Sequence, residues 1–213
     1  MTNWEASKSI RDWRDCLGSE LKREDYEWLK TECWKAKEQG DKANSSLIGH
    51  IKEEYNMLGI TESLNEFILG TCYKHKDAVK LSCLTENRPL TISNLWCNFQ
   101  KKYEFNPPHD HSGLYSFVIF ISVPYDLKKE EEYFGQIGGG QEGYHDSLKI
   151  HTSKFAFLNT NHKGTIACDV LNVDKSFEGK MILFNAKQIH QVFPFYTSDD
   201  YRITVSGNIR LLV

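Results

Sequence analysis

Long apolar runs are missing from this chain. No stretch approaches the roughly 18–20 consecutive apolar residues a helix needs to cross a bilayer, so no membrane helix is expected. Met1–Glu5 carries neither a basic nor an apolar leader pattern, and a cytoplasmic location is the expectation. A surplus of one charge is missing too: 26 basic against 29 acidic residues give a net charge of −3, which offers nucleic acid or an anionic membrane no broad attraction. Paired cysteines are absent. Cys16, Cys33, Cys72, Cys83, Cys97 and Cys168 form no Cys-x-x-Cys unit, which excludes a zinc ribbon and a thioredoxin-type motif and leaves reduced thiols as the expectation. The glycine-rich run from Gly135 to Gly143 lacks a Gly-Lys-Ser/Thr ending and a following helical pattern, so it is not a phosphate loop. It reads instead as part of a mobile loop over 126–147, of the kind that serves as a lid. Internal repeats and Pro/Ser-rich linkers are also absent, and 1–213 reads as a single domain.

What is present is ordinary globular composition, 40% apolar and 26% charged, enough for one core. Trp4, Trp13, Trp28 and Trp34 stud the first 40 residues, where Leu21, Trp28, Leu29 and Cys33 fall near one helical face and Gly40 is a plausible stop. A second helix is expected from Ser45 or Ser46, with Leu47, Ile48, Ile51, Tyr55 and Leu58 on its buried side. A third opens at Ser63, with Glu66 completing a capping box. From about residue 79 short β-branched and aromatic runs take over, at 79–84, 90–99, 114–123, 148–158, 165–171, 180–184, 189–195, 201–206 and 208–213. The expected class is mostly β with N-terminal helices: a buttress over 1–78 and a double-sheet jelly-roll core over 79–213.

The chemistry concentrates in Asn106-Pro107-Pro108-His109-Asp110-His111-Ser112-Gly113 and, far downstream, in His190 and Tyr201-Arg202-Ile203-Thr204-Val205-Ser206. On an extended chain residues i and i+2 share a side, so His109 and His111 can converge on one ion while Asp110 points away. Pro107 and Pro108 stiffen the approach, and Gly113 lets the chain turn into the strand that follows. His190, at a strand start, is the natural third ligand, and three protein ligands on one face leave coordination positions open. Arg202, with Thr204 and Ser206 alternating on its side, is suited to hold a carboxylate, and a dicarboxylic keto acid is the expected guest. His50, His75, His145, His151 and His162 read as structural or surface residues.

From Leu95 to Asn208 these motifs, with Trp96-Cys97-Asn98, Ser116-Phe117-Val118-Ile119 and Val123-Pro124-Tyr125-Asp126, resemble the 2-oxoglutarate/Fe(II)-dependent oxygenase superfamily. The likeness is to its phage-encoded and bacterial members with a Pro-x-His-x-His-x-Gly segment. The resemblance implies a double-stranded β-helix (cupin-like jelly roll) and iron held by His109, His111 and His190. It implies 2-oxoglutarate anchored by Arg202 with Thr204 or Ser206, and further co-substrate contacts from Tyr103, Asn98 and Tyr115. The implied reaction uses O2 to hydroxylate a C–H bond of an unidentified small molecule or protein side chain, with decarboxylation to succinate and CO2. His111 stands where the family carries a carboxylate. Two other registers follow: Asp110 as second ligand, or His111 first with Gly113 in the acid position, as in halogenases. A cupin-type metal enzyme and a non-catalytic binding or virion-associated jelly roll are the competing readings.

Overall fold

The computed structural model describes residues 17–74, 89–136, 152–160 and 163–212. In chain order the elements are β1 (Leu17–Glu20), α1 (Arg23–Gln39), β2 (Glu54–Asn56), α2 (Glu62–Lys74), β3 (Leu90–Gln100), β4 (Asn106–His109), β5 (Tyr115–Ser122), α3 (Leu127–Gln136), β6 (Phe155–Thr160), β7 (Ile166–Leu171), β8 (Lys180–Asn185), β9 (His190–Val192) and β10 (Arg202–Leu211). They form a six-stranded sheet ordered β1-β8-β5-β10-β3-β2 and a four-stranded sheet ordered β4-β9-β6-β7.

Two cores follow from the period of two along each strand. On the outer face of the large sheet Cys97, Phe99, Phe117, Ile119, Met181, Leu183, Ile203 and Val205 pack against Leu29, Cys33 and Ala36 of α1 and Leu64, Ile68 and Cys72 of α2. Between the sheets lie Val118, Phe120, Phe155, Phe157, Ile182, Phe184 and Phe195. Alternate residues of β3, β5 and β8 thus serve opposite layers. The helices seal one side of the sheet, and the small sheet closes over the other.

The first helix ends where glycine predicts: Gly40 takes φ 76° and its N–H meets Ala36 O at 3.1 Å. Trp34 packs edge-on against Phe99, and Trp28 lies on the same core. Trp4 and Trp13 fall outside the described residues. The expected second helix does not form. Asn44–Ser46 is a single 3₁₀ turn and Glu54–Asn56 is β2, paired to β3 through Tyr55↔Cys97. The Asn44 side chain closes this segment by donating to Ile51 O (2.7 Å) and accepting from Glu54 N (3.3 Å). Ile48 and Leu58, assigned to a buried face, are 58% and 89% exposed. Helix α2 starts earlier than expected, because Thr61 Oγ1 rather than Ser63 caps Leu64 N, while Ser63 donates to buried Asp25.

Three strands are absent from the expected list, β1, β2 and β4; β1 and β2 extend the large sheet at both edges, so the N-terminal third is not purely helical. The expected strands at 201–206 and 208–213 are one strand, β10, with a register shift between Asn208 and Ile209. Part of the expected loop 126–147 is helix α3; its remainder and the expected strand 79–84 lie outside the described residues. Cys33, Cys72, Cys97 and Cys168 are free thiols. No helix among the described residues is long and apolar enough to span a membrane.

Candidate metal centre

His109 ends β4 and His190 begins β9, and the two are cross-strand partners in the small sheet. His111 follows in the turn before β5, held by its N–H to Ala186 O at 2.8 Å. Gly113, at φ 103°, then turns the chain so that Leu114 N reaches Ile209 O; a Cβ there would stand 2.7 Å from that same oxygen. The result is three imidazoles whose ligand atoms lie within 4.8 Å of one another.

Main-chain carbonyls set the tautomers of two of them. His109 Nδ1 lies 2.7 Å from Pro107 O and His190 Nδ1 lies 2.9 Å from Gln188 O, so each Nδ1–H donates outward and leaves Nε2 a free lone pair. Phe155 stacks on His190 at 5.4 Å and Phe184 meets it edge-on at 4.8 Å, fixing the ring plane. Burial is the first cause of the lowered pKa in all three. It brings His111 down to about 4, and it holds His109 below and His190 well below the usual imidazole range. Neutral imidazoles are the form that binds a metal. Asp110 lies on the exposed side, 3.3 Å from Lys187 Nζ.

A cavity runs inward from the triad between the sheets, lined by Trp96, Asn98 and Gln100 of β3, Val118 and Phe120 of β5, and Arg202, Thr204 and Ser206 of β10. Strand register explains the row: Gln100 opposes Arg202, Asn98 opposes Thr204 and Trp96 opposes Ser206, all on the inward face. Arg202 is 3% exposed. Its guanidinium donates to Gln100 Oε1 from Nε (2.9 Å) and Nη2 (2.6 Å), to Tyr125 OH (3.0 Å) and Ser153 O (2.7 Å) from Nη1, and to Phe193 O from Nη2 (3.0 Å). Every one of these acceptors is neutral, so among the described residues the buried cation has no carboxylate partner. Tyr125 is held in its protonated form chiefly by burial and donates to Ser153 O. Ser153, at φ 58°, turns that carbonyl toward the guanidinium.

Asn98 Nδ2 donates to Thr204 Oγ1 (2.9 Å) and Ser206 Oγ (3.3 Å). Each hydroxyl therefore accepts from Asn98 and keeps its own proton to donate to a guest. Among the described residues the buried Oδ1 atoms of Asn98 and Asn106, both on the cavity wall, have no partner.

No protein-family model matches the sequence, and no curated relative matches it. Solved structures do. A prolyl-4-hydroxylase from Pseudomonas putida superposes with TM-score 0.52 at 12% identity over 97% of both chains. A 2OG-Fe(II) oxygenase family oxidoreductase from Burkholderia pseudomallei gives 0.52 at 10% identity, covering 99% of this chain and 93% of that one. AviO1 from Streptomyces viridochromogenes gives 0.50 at 11% identity, covering 99% and 96%. The chain has the jelly-roll fold of the 2-oxoglutarate/Fe(II) oxygenases.

On this fold the sequence-selected residues divide. His109, His111, His190, Asn98, Arg202, Thr204 and Ser206 share one cavity. Tyr103 and Tyr115 do not line it: Tyr103 is 57% exposed against Tyr196, and Tyr115 is buried in the helix-facing core. His50 stacks on Phe105 at the surface; His75, His145, His151 and His162 lie outside the described residues. Gln100, Tyr125 and Ser153 hold the arginine and were given no role by sequence: each comes from a different segment, and of the three only Tyr125 lies in a stretch that carries the resemblance. The alternation Trp96-Asn98-Gln100 could have pointed to Gln100.

Proposed function

We propose that the chain is a 2-oxoglutarate- and Fe(II)-dependent oxygenase that hydroxylates a C–H bond of its substrate while 2-oxoglutarate and O2 are converted to succinate and CO2. The observation that carries this reading is the sharing of one inter-sheet cavity by three neutral imidazoles, two of them pre-oriented, and a buried arginine that has no carboxylate partner among the described residues. Three nitrogen donors on one face fit Fe(II) and leave its other positions to guests. The arginine fits the far carboxylate of a dicarboxylic keto acid.

His109, His111 and His190 would hold the metal, with Pro107 O and Gln188 O keeping two of the rings in the ligating tautomer. Bound iron supplies the redox chemistry that couples decarboxylation to oxygen insertion. Arg202 supplies the charge for the keto acid, Thr204 and Ser206 supply donors, and Asn98 orients those donors. Phe120, Val118, Phe155 and Trp96 supply apolar parts of the cavity wall. The outward turn of Asp110 toward Lys187 favours His111 as the second ligand. With no carboxylate in the triad the metal keeps its full charge, so an anionic co-substrate gains more on binding.

Anaerobic titration of the metal-free protein with Fe(II) and then 2-oxoglutarate tests the proposal. A weak visible charge-transfer band is expected only after both additions. His190→Ala should abolish it by removing metal binding. Arg202→Ala should weaken 2-oxoglutarate by about tenfold or more while metal affinity stays within about threefold. Equal loss of both in Arg202→Ala would make the arginine structural, and iron binding without a band would favour a cupin-type enzyme.

A further inference from the structure

The guanidinium of Arg202 has no vacant N–H. Its five bonds go to four neutral acceptors, which differ in how readily they can be given up. Ser153 O and Phe193 O are main-chain atoms locked by neighbouring ladder bonds, Ser153 N to Pro194 O (2.7 Å) and Phe193 N to Lys154 O (2.9 Å). Tyr125 OH is tied to Ser153 O and packed on Phe195. Gln100 is the exception. Its Oε1 alone accepts from both Nε and Nη2, the parallel pair of donors that a carboxylate engages bidentately. It is a terminal side-chain amide, it faces the cavity, and its other end is held by one bond, Nε2 to Glu104 O.

We propose that the Gln100 amide oxygen is a built-in stand-in for the co-substrate carboxylate, occupying the bidentate edge of Arg202 in the free protein and yielding it when a dicarboxylate enters. The inference rests on the oxygenase reading for the identity of the guest. A neutral oxygen satisfies the buried donors without neutralising the charge, so the protein folds around Arg202 before co-substrate arrives. A carboxylate at the same edge puts a negative charge on the acceptor side of two bonds whose donor is already charged, in a cavity that also presents the Thr204 and Ser206 hydroxyls, so exchange is favourable. Gln100 thereby sets the co-substrate affinity without touching the metal.

The test is calorimetric binding of glutarate, which has the two carboxylates but no keto group to chelate iron, to the full-length protein with and without Mn(II). Gln100→Ala and Gln100→Ser are expected to bind glutarate about threefold or more tighter than wild type, because the guest no longer displaces an occupant. Gln100→Glu, which places a permanent carboxylate on the arginine, is expected to bind it at least about tenfold more weakly, with Mn(II) affinity unchanged. A wild-type crystal soaked in glutarate should show Gln100 Oε1 withdrawn from Arg202. Weaker or equal binding by both small variants, undiminished binding by Gln100→Glu, absence of glutarate binding in every variant, or glutarate bound with the Gln100–Arg202 bonds intact would each overturn the proposal. If glutarate behaves as expected but Fe(II) and 2-oxoglutarate give no chelate band, the stand-in survives and the oxygenase reading fails.

Discussion

Glu54 on β2 is 2% exposed, accepts from Asn44 Nδ2 at 3.0 Å, and is pushed up to about 7, first by burial and then by the neighbouring Glu104. Its folded-state pKa lies above the unfolded value of about 4.5, so between those values the folded chain binds more protons and loses stability as pH rises. Glu54→Gln should therefore melt higher than wild type at pH 8, by an amount on the order of 1–3 kcal/mol, and the gap should close toward pH 4.5. Thermal melts of both proteins across pH 4.5–8 check this; a gap independent of pH would mean that packing, not ionisation, separates them. Residues of this kind are invisible to motif reading. His109 and His111 were legible because a spacing of two on an extended chain states a geometry outright. Gln100 and Tyr125 act only through what the sheets bring beside them, Arg202 lying far from both in sequence.

Among the elements, β10 carries the clearest lesson. Gly207-Asn208 reads as a break between two strands, yet glycine is there for space: a Cβ would stand 2.5 Å from the Phe117 ring and 2.8 Å from Asn94 O. The chain continues through it, pairing β3 on one side and β5 on the other. Gly207→Ala should destabilise the fold by about 1–3 kcal/mol, since a main-chain oxygen cannot move aside as a flexible side chain can. Denaturant melts measure it, and a neutral result would show that β3 gives way. The segment 47–58 failed as a helix for the opposite reason. Its apolar spacing was real for Ile51 and Tyr55, but pairing with β3 and the Asn44 loop closure outweighed local preference, and Ile48 and Leu58 ended in solvent. Strands of three or four residues such as β1 and β2 carry too little pattern to be seen at all.

For the molecule as a whole, the two-sheet arrangement was readable from the density of short strands after a helical start. Its strand order was not, because it depends on which edges meet. The candidate site joins both sheets: His109 and His190 belong to the small one, Arg202 to the large one. A metal bound only by the folded chain stabilises it by linkage, about 2.7 kcal/mol at one hundred times Kd, or roughly 5–10 °C for a chain of this size. Melts with Mn(II), with EDTA and in His190→Ala check this. A shift of the same size in the variant would place the ion elsewhere.

The segment that leads to the triad has a second role. Among the described residues β4 is an outer strand of the small sheet, paired only with β9, and such a rim invites another chain to add itself. Pro107 and Pro108 offer no N–H to an incoming strand, so the rim is blunted by the same two residues that stiffen the approach to His109. Replacing them with residues that restore the missing donors would leave the imidazoles in place on paper, yet turn the mouth of the barrel into a template for self-association.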